Sequence, residues 1–89
     1  MHTVELLELA LSAARELGYE VREEWLGGIG GGACLVKGRW RLFVDLNQTP
    51  RERLEQTLDA LAQATPPDGP PAIKFPPMIE QLVRLRRAA

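Results

Sequence analysis

The residues able to do chemistry fall into a few short groups. Gly28-Ile29-Gly30-Gly31-Gly32-Ala33 spells G-x-G-x-x-A. Such a string cradles a pyrophosphate when it joins a strand to a helix, because the helix amides then meet the phosphates. Here it runs into Cys34-Leu35-Val36-Lys37, which has a strand pattern. What remains is a loop containing Gly27, Gly28, Gly30, Gly31 and Gly32, able to order on a small ligand, a phosphate or a partner. A thiol such as Cys34 becomes a nucleophile beside a base or a positive field. The one histidine is His2, near the chain start, so Cys34 reads as a small half-buried strand residue. Glu20, Glu23 and Glu24 could hold a cation loosely and read more simply as a solvated strand edge. Lys37, Arg39, Trp40 and Arg41 place three cations and an aromatic at a hairpin tip. That combination can contact phosphates and stack a base; the simpler reading is a solvated turn with Trp40 tucked inward. Arg84, Arg86 and Arg87 sit where positive charge suits the C-terminal end of a helix.

The elements that must position these groups follow from periodicity. Residues 3–17 predict a helix with Val4, Leu7, Leu11 and Ala14 on one stripe and Leu6, Ala10, Ala13 and Leu17 beside it. Thr3 is its expected cap and Gly18 its expected stop. Residues 19–25 alternate, with Tyr19, Val21 and Trp25 on one face and Glu20, Arg22 and Glu24 on the other. Residues 33–37 and 40–46 predict a hairpin turning at Gly38-Arg39 or at Lys37-Gly38. Either turn puts Leu35 with Trp40, Leu42, Val44 and Leu46, and puts Cys34 and Val36 with Arg41, Phe43 and Asp45. Thr49-Pro50-Arg51-Glu52 is a capping box with Pro at the first helical position. The helix it starts runs to about residue 63 on Leu54, Leu58 and Leu61. Pro66-Pro67-Asp68-Gly69-Pro70-Pro71 predicts a stiff connector with a turn in it. Residues 77–87 predict a last helix on Met78, Ile79, Leu82, Val83 and Leu85.

Composition bounds the possibilities. The chain has 89 residues, enough for one domain, which buries roughly 60–65% of its unfolded surface. A kinase, a TIM barrel or a paired dinucleotide-binding domain does not fit in it. Eleven basic and twelve acidic side chains give a net charge of −1, so bulk charge does not point to nucleic acid or to a membrane. One Cys and one His exclude a disulfide framework within the chain and a four-ligand Cys/His zinc site. The first residues show no basic leader, and no apolar run approaches the roughly 20 residues of a membrane span. The expected compartment is the cytoplasm.

Residues 27–63 carry a resemblance. The order of a Gly-rich approach, Cys34-Leu35-Val36, a turn, Leu42-Phe43-Val44-Asp45 and then Thr49-Pro50-Arg51-Glu52-Arg53 with an amphipathic helix resembles the core of ImmA/IrrE-type bacterial zinc peptidases. There a hairpin precedes a capped helix that carries H-E-x-x-H. The matching stretch here is Asp59-Ala60-Leu61-Ala62-Gln63, without either histidine or the glutamate. The resemblance implies a related helix-on-hairpin shape and loss of the chemistry. The whole chain also resembles small bacterial proteins with a Gly-Gly-Gly-x-Cys hairpin, from which no activity carries over.

These readings converge on an α+β fold: a three-stranded antiparallel sheet packed on two main helices, with a third helix after the proline-rich connector. Residues 1–65 form the α-β-β-β-α core, 66–76 the connector and 77–89 a C-terminal helix of the same domain. Consecutive strands joined by short links favour a meander, which leaves strand 1 or strand 3 with a free edge. Helices on one face would bury Leu35, Leu42, Val44 and Leu46. The other face would show Cys34, Val36 and Phe43, framed by Arg41 and Asp45, an apolar centre with a charged rim. The alternative is that the last helix folds back over that face. The expected function is a non-enzymatic protein-interaction module or accessory subunit that meets a protein partner or a second copy of itself. No catalytic residue, metal or cofactor is expected. Ligand or phosphate binding at the Gly-rich loop is the alternative, and nucleic-acid binding through the basic tip the weaker one.

Overall fold

The computed structural model describes residues 2–28, 31–64 and 75–88. The elements run α1 (Thr3–Glu16), β1 (Glu20–Glu24), β2 (Gly32–Val36), β3 (Arg39–Asp45), α2 (Pro50–Ala64) and α3 (Pro77–Ala88). Three helices and one three-stranded sheet pack together as an α+β fold. Most of the proline-rich connector lies outside the described residues.

Local chemistry sets the helix ends. Helix α1 starts at Thr3 rather than after it: His2 is the N-cap, and its carbonyl already accepts the Leu6 amide at 3.0 Å. The C-terminal end is a Schellman motif. Gly18, at φ +100°, donates to the Arg15 carbonyl, and the Tyr19 amide donates to the Ala14 carbonyl, each at 3.0 Å. At the start of α2 the capping box is closed both ways: the Glu52 amide donates to Thr49 Oγ1 at 3.2 Å, and the Thr49 amide donates to Glu52 Oε1 at 3.2 Å.

The strand order is β1-β3-β2, with β1 parallel to β3 and β2 antiparallel to it. The sheet is therefore mixed, where a fully antiparallel meander was expected, and β3 is central, so the free edges belong to β1 and β2. The cause lies in the link between β1 and β2. It leaves β1 beside the C-terminal end of β3 and passes around that end instead of turning back. The Leu26 amide donates to Asp45 Oδ1 at 3.1 Å, and the Gly27 amide to Asn47 Oδ1 at 3.0 Å. Further along, a Cβ on Gly31 would overlap the Phe43 carbonyl, so only glycine lets the chain pass this close to β3. The chain then enters β2 opposite Phe43.

All three helices share one core. Leu7, Leu11, Leu42, Val44, Leu58, Leu61, Ile79 and Val83 are buried in a single cluster. Helix α3 packs on α2 and α1 through Ile79 and Val83, so it does not fold back over the open sheet face. Arg86 reinforces that docking through an ion pair with Asp59 at 3.5 Å. No described helix is long and apolar enough to cross a membrane.

Candidate functional site

The Gly-rich loop is held by its own protein. Besides the Leu26 and Gly27 amides, the Gly31 amide donates to Gln56 Oε1 at 3.3 Å. Three amides that a phosphate would need thus already face side-chain oxygens. Gly28 and Gly32 flank them, and Gly30 lies outside the described residues. Asp45 belongs to this anchor. It is fully buried, and its Oδ1 also accepts the Asn47 amide at 2.9 Å, an Asx-type turn. It organises the loop from inside and does not frame a surface patch.

The β2–β3 hairpin carries exposed apolar side chains. It turns at Lys37-Gly38, whose φ values of +51° and +78° make a type I′ turn, the second of the two turns the sequence allowed. The register sets Leu35 opposite Trp40, Ala33 opposite Leu42 and Cys34 opposite Arg41. Leu42 and Val44 are buried under the helices, as alternation predicts, while Leu46, expected buried, is half-buried. Leu35, also expected buried, is 57% exposed, and Trp40 is 51% exposed. Among the described residues the helices do not extend over the hairpin tip, so these side chains of the helix-facing side stay exposed. Trp40 makes a T-shaped contact with Tyr19, with ring centroids 6.1 Å apart at 62°. Burial pushes the Tyr19 phenol up from its ordinary value, and its hydroxyl donates to the Ala60 carbonyl at 3.3 Å.

On the opposite face Cys34, Val36 and Phe43 are part-exposed neighbours, as the alternation requires. Arg41 stands beside them, its Nε 3.4 Å from Glu20 on β1. The face changes character across the sheet: apolar over the hairpin, and charged over β1, where Arg22 meets Glu20 at 3.4 Å and Glu24 at 3.8 Å. Of the basic tip, Lys37 and Arg39 are exposed while Arg41 is engaged by Glu20. On α3, Arg84 pairs with Glu80 at 3.0 Å.

Asp59, Ala60 and Gln63 line a shallow groove of about 280 Å³. Gln56, Asp59, Ala60 and Gln63 of α2 form one wall, and Gly31, Gly32 and Ala33 the other. Gln63 also borders a recess of about 230 Å³ with Leu17, Tyr19 and Trp40. A zinc ion does not fit this donor set. It offers one carboxylate, already paired with Arg86, and two neutral amides. Among the described residues no group of three or more His, Cys, Asp or Glu side chains could hold a metal.

Sequence reasoning missed the exposure of Leu35 and Trp40, and that of Trp25, which alternation set with Tyr19 and Val21 and which is 72% exposed. Period two fixes which face a side chain takes, whereas cover depends on how far a helix reaches along the strand. Compared with protein-family models, curated proteins and solved structures, the chain matches none.

Proposed function

We propose that this chain is a small, non-enzymatic protein-interaction module of the cytoplasm that makes its contact through the β2–β3 hairpin. One observation carries the reading: toward its tip the hairpin shows apolar side chains on both faces that the described helices leave exposed or part-exposed. Leu35 and Trp40 stand out on the helix side, and Cys34, Val36 and Phe43 are part-exposed on the other, beside Arg41. Exposed apolar groups bordered by charge are a common form of contact patch. The lone cysteine suits a reducing compartment. The experiment is photo-crosslinking in the cells that make the protein. A photoreactive residue at position 35 or 43 should give protein adducts, whether with itself or with another chain, and one at position 22 of β1 should not. Equal labelling at all three positions, or none at any, overturns the reading.

A further inference from the structure

Strand β2 reads Gly32-Ala33-Cys34-Leu35-Val36, with no charge, no proline and β3 on only one side. Folded proteins normally guard such an edge with charge, a bulge or a cover, because its free backbone groups are a template for another strand. We propose that β2 pairs antiparallel with β2 of a second copy, about a two-fold axis at Cys34, joining the two sheets edge to edge. The proposal rests on the interaction reading above and names the partner.

The backbone permits this register. A two-residue turn makes Val36 and Arg39 a hydrogen-bonded pair, and hydrogen-bonded and open pairs alternate from there. Val36, Cys34 and Gly32 therefore bond to β3, while the amide and carbonyl of Leu35 and of Ala33 point to the free edge. Centring on Cys34 sets Ala33 against the second copy's Leu35, and Leu35 against its Ala33, so the outward groups meet. A shift by one residue sets outward groups against inward ones and makes no ladder.

The side chains select the same partner. β2 has its two small residues, Gly32 and Ala33, at one end and its two large ones, Leu35 and Val36, at the other. An antiparallel copy therefore places Leu35 against Ala33 and Val36 against Gly32, large against small at each pair. On the helix side, the second copy's Leu35 comes down beside Ala33, where the groove walled by Ala60 and Gln63 lies open. On the other side, its Val36 comes over Gly32, the cross-strand neighbour of part-exposed Phe43. No like charges meet, since Lys37 falls opposite Gly31. A two-fold pairing uses both edges up and closes the assembly at two copies.

Purified protein tests this directly. Sedimentation over a wide concentration range should show a dimer. Copper-phenanthroline, which takes two electrons from two thiols, should link the copies through Cys34, because the central open pair has Cα atoms about 4.5 Å apart. Leu35→Lys puts a charge on an exposed site, so circular dichroism should stay unchanged while dimer affinity and disulfide yield each fall at least tenfold. Ala33→Pro, which removes an outward N–H without touching a β2–β3 bond, should do the same. A wild type that stays monomeric at millimolar concentration overturns the proposal, as does a dimer that survives both variants or does not link through Cys34. If the protein is monomeric alone yet crosslinks to a different protein at position 35 in cells, the interaction reading stands and the self-pairing falls.

Discussion

At one edge of the sheet β1 carries Glu20, Arg22, Glu23 and Glu24 around a single Val21; at the other, β2 carries no charged residue. The two strands flank the same β3 and have the same length, yet they treat water differently. Around β1, Arg22 braces Glu20 and Glu24, Arg41 reaches Glu20, and Arg15 of α1 stands 3.8 Å from Glu23. Another strand arriving there would have to strip water from charges on both faces, which costs several kcal/mol per unpaired ion. At β2 the arriving strand would cover Leu35, Cys34 and Val36, and burial of apolar area is favourable at about 25 cal/mol per Å². One edge is closed by its side chains and the other is left open, so exposure alone does not define an interaction surface.

The comparison can be strained at several points. The largest expected effect is at the link that lets β1 and β2 take opposite edges. Gly31→Ala forces a Cβ into the Phe43 carbonyl and should cost about 1–3 kcal/mol, the usual range for an overpacked site. Urea denaturation measures it, and an unchanged midpoint would mean that the link does not run against β3. Next is the body that backs both edges. Thr49→Ala removes the N-cap of α2 and should cost ~1 kcal/mol while leaving association per folded molecule unchanged.

The third point is Tyr19, which ties the start of β1 to α2. Its phenol keeps its proton in the folded chain at pH values where an unfolded tyrosine has lost it. The stabilisation this gives is therefore whole below pH about 10 and is lost as pH climbs through the raised folded value. Tyr19 is the one tyrosine of the chain, so absorbance titration should place its midpoint above 10, and Tyr19→Phe should flatten the stability loss above that pH. A midpoint at the model-peptide value would contradict the burial. The smallest effect belongs to the closed edge itself. Arg22→Ala breaks exposed ion pairs and should change stability by less than about 1 kcal/mol. It should leave association as it was, which denaturation and sedimentation on one sample would show. A fall in association would give β1 a share of the contact.

Much of this fold was legible in local chemistry. Gly18, the capping box at Thr49 and the two apolar stripes named the helices, because those signals act within a few residues. The hairpin was legible too, with both turns offered and the positive-φ pair Lys37-Gly38 chosen. The strand order was not. Glu-Val-Arg-Glu-Glu alternates equally well in a parallel or an antiparallel pair, and the route around β3 depends on contacts between Leu26, Gly27 and the distant Asp45 and Asn47. The signal was present in part, since Asp45-Leu46-Asn47 at the end of a strand is an Asx-turn pattern that marks Asp45 as a loop anchor. On the candidate contact surface the face of every hairpin residue was readable. The exposure of Leu35 was not, because it depends on where α2 stops covering β2.

β2 is the open edge and β1 the closed one, and amide hydrogen exchange, followed residue by residue as protein concentration rises, separates the two. Ala33 and Leu35, whose N–H groups point away from β3, should exchange quickly in dilute protein and become protected as concentration increases, while the outward amides of β1 stay unprotected throughout. Protection that builds on β1 instead, or outward β2 amides that exchange at the same rate at every concentration, would contradict that assignment.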